Sequence, residues 1–263
     1  MRTDMTESIF SGGILPRGGG ATIAYERLEG KNPGVVFLHG FRSDMTGGKA
    51  QAVRDFCQRR GQAFVRFDAQ GHGQSSGRFE DGSIGLWASD AVAVLDVLTK
   101  GPQVIVGSSM GGWLMLLAAL QRRDRVAGLL GLAAAPDFTE ELVYAEMTDA
   151  QKREMLSAGQ VAISDCEGEP PMPITRHLIE DGRQHLLMNA PITLACPVRL
   201  IHGQQDKSVP WETAIRLADH LAGDDVEVTL VKAGGHRLSE PQDIDRLLTV
   251  LGKLLDRLEE KPA

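Results

Sequence analysis

The sequence predicts an α/β fold: a mostly parallel sheet with helices on both faces and a helical lid insertion. Three observations lead there. Short runs of β-branched and apolar residues alternate with longer stretches of helical period, a Gly-rich turn joins one such strand to one such helix, and the alternation breaks once, from Pro136 to about Pro191, before it resumes. With 263 residues, 42% of them hydrophobic and 24% charged, the chain is long enough to bury a sizeable core and ordinary enough to be globular. The break divides it into a first part of the core domain (1–136), a lid insertion (137–190) and a second part of the core (191–263).

Each element follows in order. Thr22 to Arg27 partly alternates and reads as an exposed antiparallel strand, and Gly30 to Gly34 as a turn. Val35-Val36-Phe37-Leu38 is continuously apolar, as expected of a parallel strand buried on both faces. Ala52, Val53, Phe56 and Cys57 recur at helical spacing up to a stop at Gly61, and Ala63 to Phe67 is the next strand. Trp87, Ala91, Val94, Leu95 and Leu98 share one face of a helix that ends before Gly101-Pro102. Gln103 to Val106 and Val126 to Ala134 are buried strands on either side of the apolar helix Trp113 to Leu120. The insertion contains helical pieces at Glu140 to Glu146 and Asp149 to Ser157 and a Pro-rich link, Pro170-Pro171-Met172-Pro173. Val198 to Ile201 and Val226 to Val231 are the last strands, with a helix over Trp211 to Leu221 between them. Ile244, Leu247, Leu248, Leu251, Leu254, Leu255 and Leu258 form the stripe of a final helix that covers the sheet.

The turn at the centre is Gly107-Ser108-Ser109-Met110-Gly111, a G-x-S-x-G between strand and helix. That order is what a nucleophile elbow requires: Ser109 sits in a strained turn, and the glycines on either side let strand and helix approach. A serine hydroxyl needs a contacting base, and the base needs a group to orient it. In chain order these fall at Asp206, after the strand 198–201, and His236, after the strand 226–231. Asp137, just past the strand 126–134, is the rival for the acid. The backbone N–H groups of Met110 and of Phe41, in the His39-Gly40-Phe41 loop, are the candidate oxyanion donors. His39 and His202 sit at strand ends, where an imidazole braces a turn; His72, His177, His185 and His220 lie in a loop, the insertion and a helix. The loop Gly71-His72-Gly73-Gln74-Ser75-Ser76-Gly77 departs from the dinucleotide fingerprint in the place of its third glycine and reads as structural support.

With those residues in view, the chain from about Thr22 to Leu258 resembles the α/β-hydrolase superfamily, through His39-Gly40, Asp68 with Gly71, Gly73, Ser75 and Gly77, the elbow, Asp206 before Val209-Pro210, and His236. Within it the chain is similar to the mitochondrial palmitoyl-protein thioesterases that also act as acyl-glucuronide esterases. The similarity runs through Arg66-Phe67-Asp68, Gly101-Pro102-Gln103, Val106-Gly107-Ser108-Ser109, Gly111-Gly112-Trp113-Leu114-Met115-Leu116 and Arg199-Leu200-Ile201-His202-Gly203 with Asp206 and Val209-Pro210-Trp211. The resemblance implies Ser109 as nucleophile, Asp206 as acid, His236 as base and Phe41 with Met110 as oxyanion donors, hence a serine hydrolase of acyl thioesters or carboxylic esters acting on a small molecule or an acylated protein. The insertion matches loosely. Since Ser109-Met110-Gly111-Gly112 also occurs in lipases, perhydrolases and C–C bond hydrolases, a C–C hydrolase of a diketone-like ring-fission product and a non-enzymatic scaffold of the same fold remain open.

Composition bounds the rest. A net charge of -7 without a basic run argues against nucleic acid as a partner. Cys57, Cys166 and Cys196 are too few and too scattered for a disulfide framework or a metal knuckle, and no metal or cofactor site is expected. The N-terminal Met1-Arg2-Thr3-Asp4-Met5-Thr6-Glu7 lacks the pattern of a leader, and no apolar run approaches a membrane span, so a soluble cytoplasmic protein is expected. Leu142, Met147, Met155, Leu156 and Ile163 of the insertion are candidates to line an acyl pocket or to pack the lid onto the core.

Overall fold

In the computed structural model, which describes residues 10–163 and 171–260, eight strands form one sheet. In chain order the elements are β1 (Phe10–Pro16), β2 (Thr22–Leu28), β3 (Lys31–Leu38), α1 (Gly48–Arg60), β4 (Gln62–Phe67), α2 (Ile84–Leu98), β5 (Gln103–Ser108), α3 (Met110–Gln121) and β6 (Val126–Leu132). The insertion supplies α4 (Asp149–Ala158), β7 (Gln160–Ile163), β8 (Met172–Thr175) and α5 (Arg176–Gly182), and the chain closes with β9 (Val198–Gly203), α6 (Glu212–His220), β10 (Val226–Val231) and α7 (Pro241–Glu260). The sheet order is β1-β2-β4-β3-β5-β6-β9-β10. The pairings β1–β2 and β2–β4 are antiparallel, so β2 alone runs against the rest, and every pairing from β4 onward in this sheet is parallel. All the parallel strands therefore end on one edge, where an open α/β sheet binds its ligands.

Period-2 alternation sorts the buried strand residues onto two faces. Val35, Phe37, Val104, Val106, Leu130 and Leu132 pack with Val53 and Cys57 of α1 and with Leu247, Leu251, Leu254 and Leu255 of α7. Their neighbours Val36, Leu38, Ile105 and Leu129 face α2, α3 and α6. A strand buried on both faces must be apolar at every position, which is why these runs are continuous. The final stripe is thus a cover for the sheet. At the end of α1, Gly61 takes φ 65°, the left-handed cap that lets the chain turn into β4.

Three local expectations change. The stretch 31–34 is not a turn but the start of β3: Lys31 pairs with Gln62 and Gly34 with Gln103, with an irregular register between Lys31 and Val35. β2 is not exposed at an edge, because β1 pairs along its whole length, from Phe10 with Leu28 to Pro16 with Thr22. Gly12, Gly13 and Pro16 deprive β1 of the composition of a strand. The insertion is helical over α4, α5 and a π-helical turn, Thr139–Tyr144, and also carries a hairpin, β7 with β8. Val161 lies opposite Ile174 and Ile163 opposite Met172, so part of the Pro-rich link is a strand. Pro173 is tolerated because a two-stranded ribbon leaves one edge of each strand unpaired. Cys166, Pro170 and the N-terminal residues Met1 to Glu7 lie outside the described residues.

Candidate active site

Ser109 follows the last residue of β5 and precedes the first of α3, with φ 54° and ψ −119°. A side chain at positive φ is strained, and the surroundings hold it there: Ser109 N–H donates to the Leu132 carbonyl at 2.9 Å, and its own carbonyl accepts from Gly112 and Ala135. A Cβ on Gly107 would collide with the Gly111 carbonyl, and one on Gly111 with the carbonyls of Leu38 and His39. The two glycines are therefore required by close backbone approach.

His236 and Asp206 come from the ends of two other strands. Ser109 Oγ lies 3.1 Å from His236 Nε2, and His236 Nδ1 lies 2.7 Å from Asp206 Oδ2. The hydroxyl can donate to Nε2 only if the ring carries its proton on Nδ1, and the carboxylate selects that tautomer. Asp206 has a side chain with no exposure. Burial works against its charge, but hydrogen bonds from His202, His236 and the Val209 N–H outweigh it and hold the carboxyl well below the ordinary range. Ser208 and Val209 donate their N–H groups to Oδ1 at 2.9 and 2.8 Å. His202, read from the sequence only as a turn brace, places Nε2 3.1 Å from Asp206 Oδ2 and 3.1 Å from the Val209 carbonyl. The sequence signal for it was the His202-Gly203 pair four residues before Asp206, at the end of β9.

Asp137 is occupied elsewhere. It sits at φ 58° with its carboxylate accepting from the N–H groups of Leu187 (2.9 Å) and Met188 (2.8 Å). It fastens the end of the insertion to its beginning.

Phe41 and Met110 both border the cavity that holds Ser109 and His236. Met110 opens α3, so its N–H is one of those without a partner inside the helix. The Gly40 carbonyl lies 2.8 Å from His39 Nδ1 and accepts from Ser43 N–H, which turns the Phe41 N–H of the same planar peptide the opposite way. A Cβ on Gly40 would touch both Ser108 O and Ser109 Cβ at 3.4 Å, so this loop lies directly against the serine. The Phe41 ring is held by Phe79, Phe138 and Trp87, with centroids 4.9, 5.5 and 5.9 Å away.

The loop after β4 supports this arrangement. Asp68 accepts from Met45 and Gln74 N–H groups, Ser75 Oγ donates to the Asp68 carbonyl, and Gly71 N–H donates to Ser76 O. The cavity itself, about 330 Å³, is walled by Ala135, Phe138, Val143 and Val209 together with Leu142, Met147 and Ile163. Of the five insertion residues singled out by sequence, those last three line it; Met155 is buried in the core and Leu156 is exposed. The thiols of Cys57 and Cys196 are both pushed up by burial, that of Cys196 to about 11.

Known proteins share this construction. A family profile described as serine aminopeptidase, S33, matches residues 31–164. The palmitoyl-protein thioesterase ABHD10, mitochondrial, of Mus musculus is 40% identical over 236 residues, covering 90% of this chain and 80% of that protein. The Homo sapiens protein of the same name is 39% identical over 237 residues, covering 90% and 77%. Among solved structures, alpha/beta hydrolase domain-containing protein 10 from mouse superposes with a TM-score of 0.87 at 39% identity, over 94% of this chain and 99% of that one. A hydrolase-assigned protein from Agrobacterium vitis S4 superposes at 0.89 with 37% identity and the same coverage. An eight-stranded, mostly parallel sheet with a serine elbow and relatives at this level of identity lead to one conclusion: the chain belongs to the α/β-hydrolase family and is a relative of the ABHD10 serine hydrolases.

Proposed function

We propose that this protein hydrolyses acyl thioesters and activated carboxylic esters through an acyl-enzyme on Ser109. The observation that carries the reading is the hydrogen-bonded line Asp206–His236–Ser109 at an apolar cavity. His236 Nε2 takes the Ser109 proton as Oγ bonds to the acyl carbon, and the buried Asp206 carboxylate stabilises the imidazolium that results. The oxyanion meets the N–H groups of Met110 and Phe41. On collapse, the bond to the leaving atom breaks with its electron pair on that atom, which takes the proton from His236. Water then repeats the sequence and frees the acid. The apolar cavity suits a fatty or aryl acyl group, and the ABHD10 relatives support an acylated protein as one substrate. The free thiols of Cys57 and Cys196 favour a reducing compartment such as the cytoplasm.

A second reading is amide hydrolysis, favoured by the aminopeptidase description of the matching family profile. A matched series with one acyl chain separates the two. An amine leaves far less readily than a thiol when a single imidazole is the acid, so the thioester should turn over faster than the amide by at least ~10². Ser109→Ala should lower thioester turnover by roughly 10⁴–10⁶ and abolish labelling by a fluorophosphonate, with the fold intact. Comparable amide and thioester rates would replace the first reading with the second, and unimpaired turnover by Ser109→Ala would remove both.

A further inference from the structure

Ser109 and His236 stand where two cavities meet. Phe41, Met172 and Ser208 border both, but the remaining walls differ. One is the apolar cavity under the insertion; the other is a cleft of about 680 Å³ that runs from the same pair towards the loops following β3 and β10. Among the described residues its charged walls are Arg42, Lys49, Arg237 and the carboxylate of Asp44. That carboxylate is already engaged, accepting at Oδ1 from the Thr46 N–H at 2.7 Å and the Thr46 hydroxyl at 2.6 Å. Lys49 reaches the cleft from the first turn of α1, and its ammonium donates to the Arg237 carbonyl. Among the described residues no carboxylate stands within ion-pair distance of it. A partly buried ammonium bonded to a carbonyl, with Asp243 and Asp206 acting on it only from beyond ion-pair distance, has donors to spare. Beside it, Arg42 holds φ 55°, a conformation that costs any residue but glycine.

We propose that this cleft is the leaving-group subsite and that Lys49, assisted by Arg42, binds an anionic oxygen group, a carboxylate or a phosphate, carried by the departing thiol or alcohol. The inference rests on the acyl-enzyme reading of Ser109. With the acyl chain in the apolar cavity and the reacting carbon at Ser109 Oγ, the leaving atom must face His236 Nε2, which donates its proton. The rest of the leaving group then continues into the cationic cleft. Burial, and secondarily Arg237, press the Lys49 ammonium down to about 8, against the pull of Asp243 and Asp206. The neutral amine cannot attract an anion, so the preference is fully present below about pH 8 and fades above it. Asp44 is held below the usual carboxylate range by the Thr46 hydroxyl, and His236 serves matched substrates alike.

The test uses S-octanoyl thioesters in two pairs: N-acetylcysteamine against 3-mercaptopropionate, and pantetheine against phosphopantetheine. The full chain should prefer the anionic member of at least one pair by about tenfold or more in kcat/KM, chiefly through KM, and the two pairs tell carboxylate from phosphate. Lys49→Met should erase most of that preference, Lys49→Arg should restore it, and raising the pH from about 7 to about 9.5 should imitate Lys49→Met. Should Lys49→Met fail to fold, competitive inhibition of the unaltered protein by 3-hydroxypropionate and by N-acetylethanolamine, whose hydroxyls stay neutral at the two pH values, carries the same comparison. Equal losses on neutral and anionic thioesters would mean that the ammonium only pins the Arg237 carbonyl beside His236, and would overturn the proposal. So would hydrolysis of all four thioesters without preference for either anionic one. Absence of any thioester turnover and of fluorophosphonate labelling would instead remove the acyl-enzyme reading beneath it.

Discussion

Asp206 collects hydrogen bonds on both oxygens of one buried carboxylate: imidazoles at Oδ2, from His202 at 3.1 Å and His236 at 2.7 Å, and backbone N–H groups at Oδ1. Its depressed pKa keeps it ionised through the whole neutral and mildly acid range, so loss of activity on mild acidification must belong to another group. His202 is a positioning residue on this view. Its Nε2–H is shared between Asp206 and the Val209 carbonyl, while Nδ1 is buried with no partner among the described residues. Hydrogen bonds to a charged group are worth about 1.5–3 kcal/mol, and only part of one reaches the transition state, so His202→Leu should lower kcat about tenfold with KM little changed. His202→Gln, which can still offer an N–H, should recover part of the loss. A full kcat in His202→Leu would show that the Ser208 and Val209 N–H groups orient the carboxylate unaided.

The insertion behaves as an element because its two ends are joined. Asp137 at its start accepts from Leu187 and Met188 near its finish, and α4 is closed by a capping box between Thr148 and Gln151. The hairpin β7–β8 brings Ile163, Met172 and Ile174 to the same cavity as Leu142 and Met147. Burying one methylene is worth about 0.8 kcal/mol, so chain-length preference is sensitive to how much of the cavity side chains fill. Trimming Leu142 or Met147 to Ala should move the preferred acyl chain to one longer by about one to three methylenes. Leu156→Ala, at a position 65% exposed, should leave the preference where it was. A chain-length series with melting curves decides it. A fall in melting temperature without a change of preference would mean that these residues only pack the lid onto the core.

Acid stability is a property of the whole molecule because the groups that set it lie beneath several loops at once. His39 and His72 are buried with ring centroids 4.8 Å apart, and His72 packs against Phe79 and Trp87. Burial lowers both pKa values, that of His72 to about 4. His39 Nε2 also accepts the Ala69 N–H at 3.1 Å, a bond that protonation would break. Unfolded, each histidine takes up protons near its ordinary pKa of about 6.5, so the unfolded chain binds more protons than the folded one between there and about 4. The stability these groups contribute is present above about pH 6.5 and is lost as the pH falls through that window. Burial raises Asp68, Asp90 and Asp137, which gives the opposite slope, but only nearer the carboxylate range. The melting temperature should therefore drop between about pH 7 and about pH 5, and His72→Phe, which keeps a ring against Phe79 and Trp87, should flatten the slope. A constant or rising melting temperature on acidification would contradict this origin. Because His39 also orients the Gly40 peptide beside Ser109, the site should loosen along with the fold.

The sequence by itself determined the parallel strands, the helices that cover them, and the order Ser109, Asp206, His236 across three strand ends. Those features are local: burial on both faces demands a continuous apolar run, and a strained serine between strand and helix demands glycines two residues away. Only the tertiary structure decided what depends on distant partners. β1 is a strand because β2 pairs with it, although Gly12, Gly13 and Pro16 speak against it. Residues 31–34 extend β3 because β4 and β5 flank them, and Met172–Thr175 is a strand because Val161 and Ile163 lie opposite. The same reason separates Asp206 from Asp137, two aspartates that follow strands, one of which meets His236 and the other the backbone of Leu187 and Met188. Lys49 shows it most plainly: a lysine in the first turn of a helix is ordinary in sequence, and becomes part of a cleft beside Ser109 only once α1 packs under the loop that carries His236. Hydrogen bonds and charges act through space, so their partners are set by the fold, whereas hydrophobic period and glycine geometry are written along the chain.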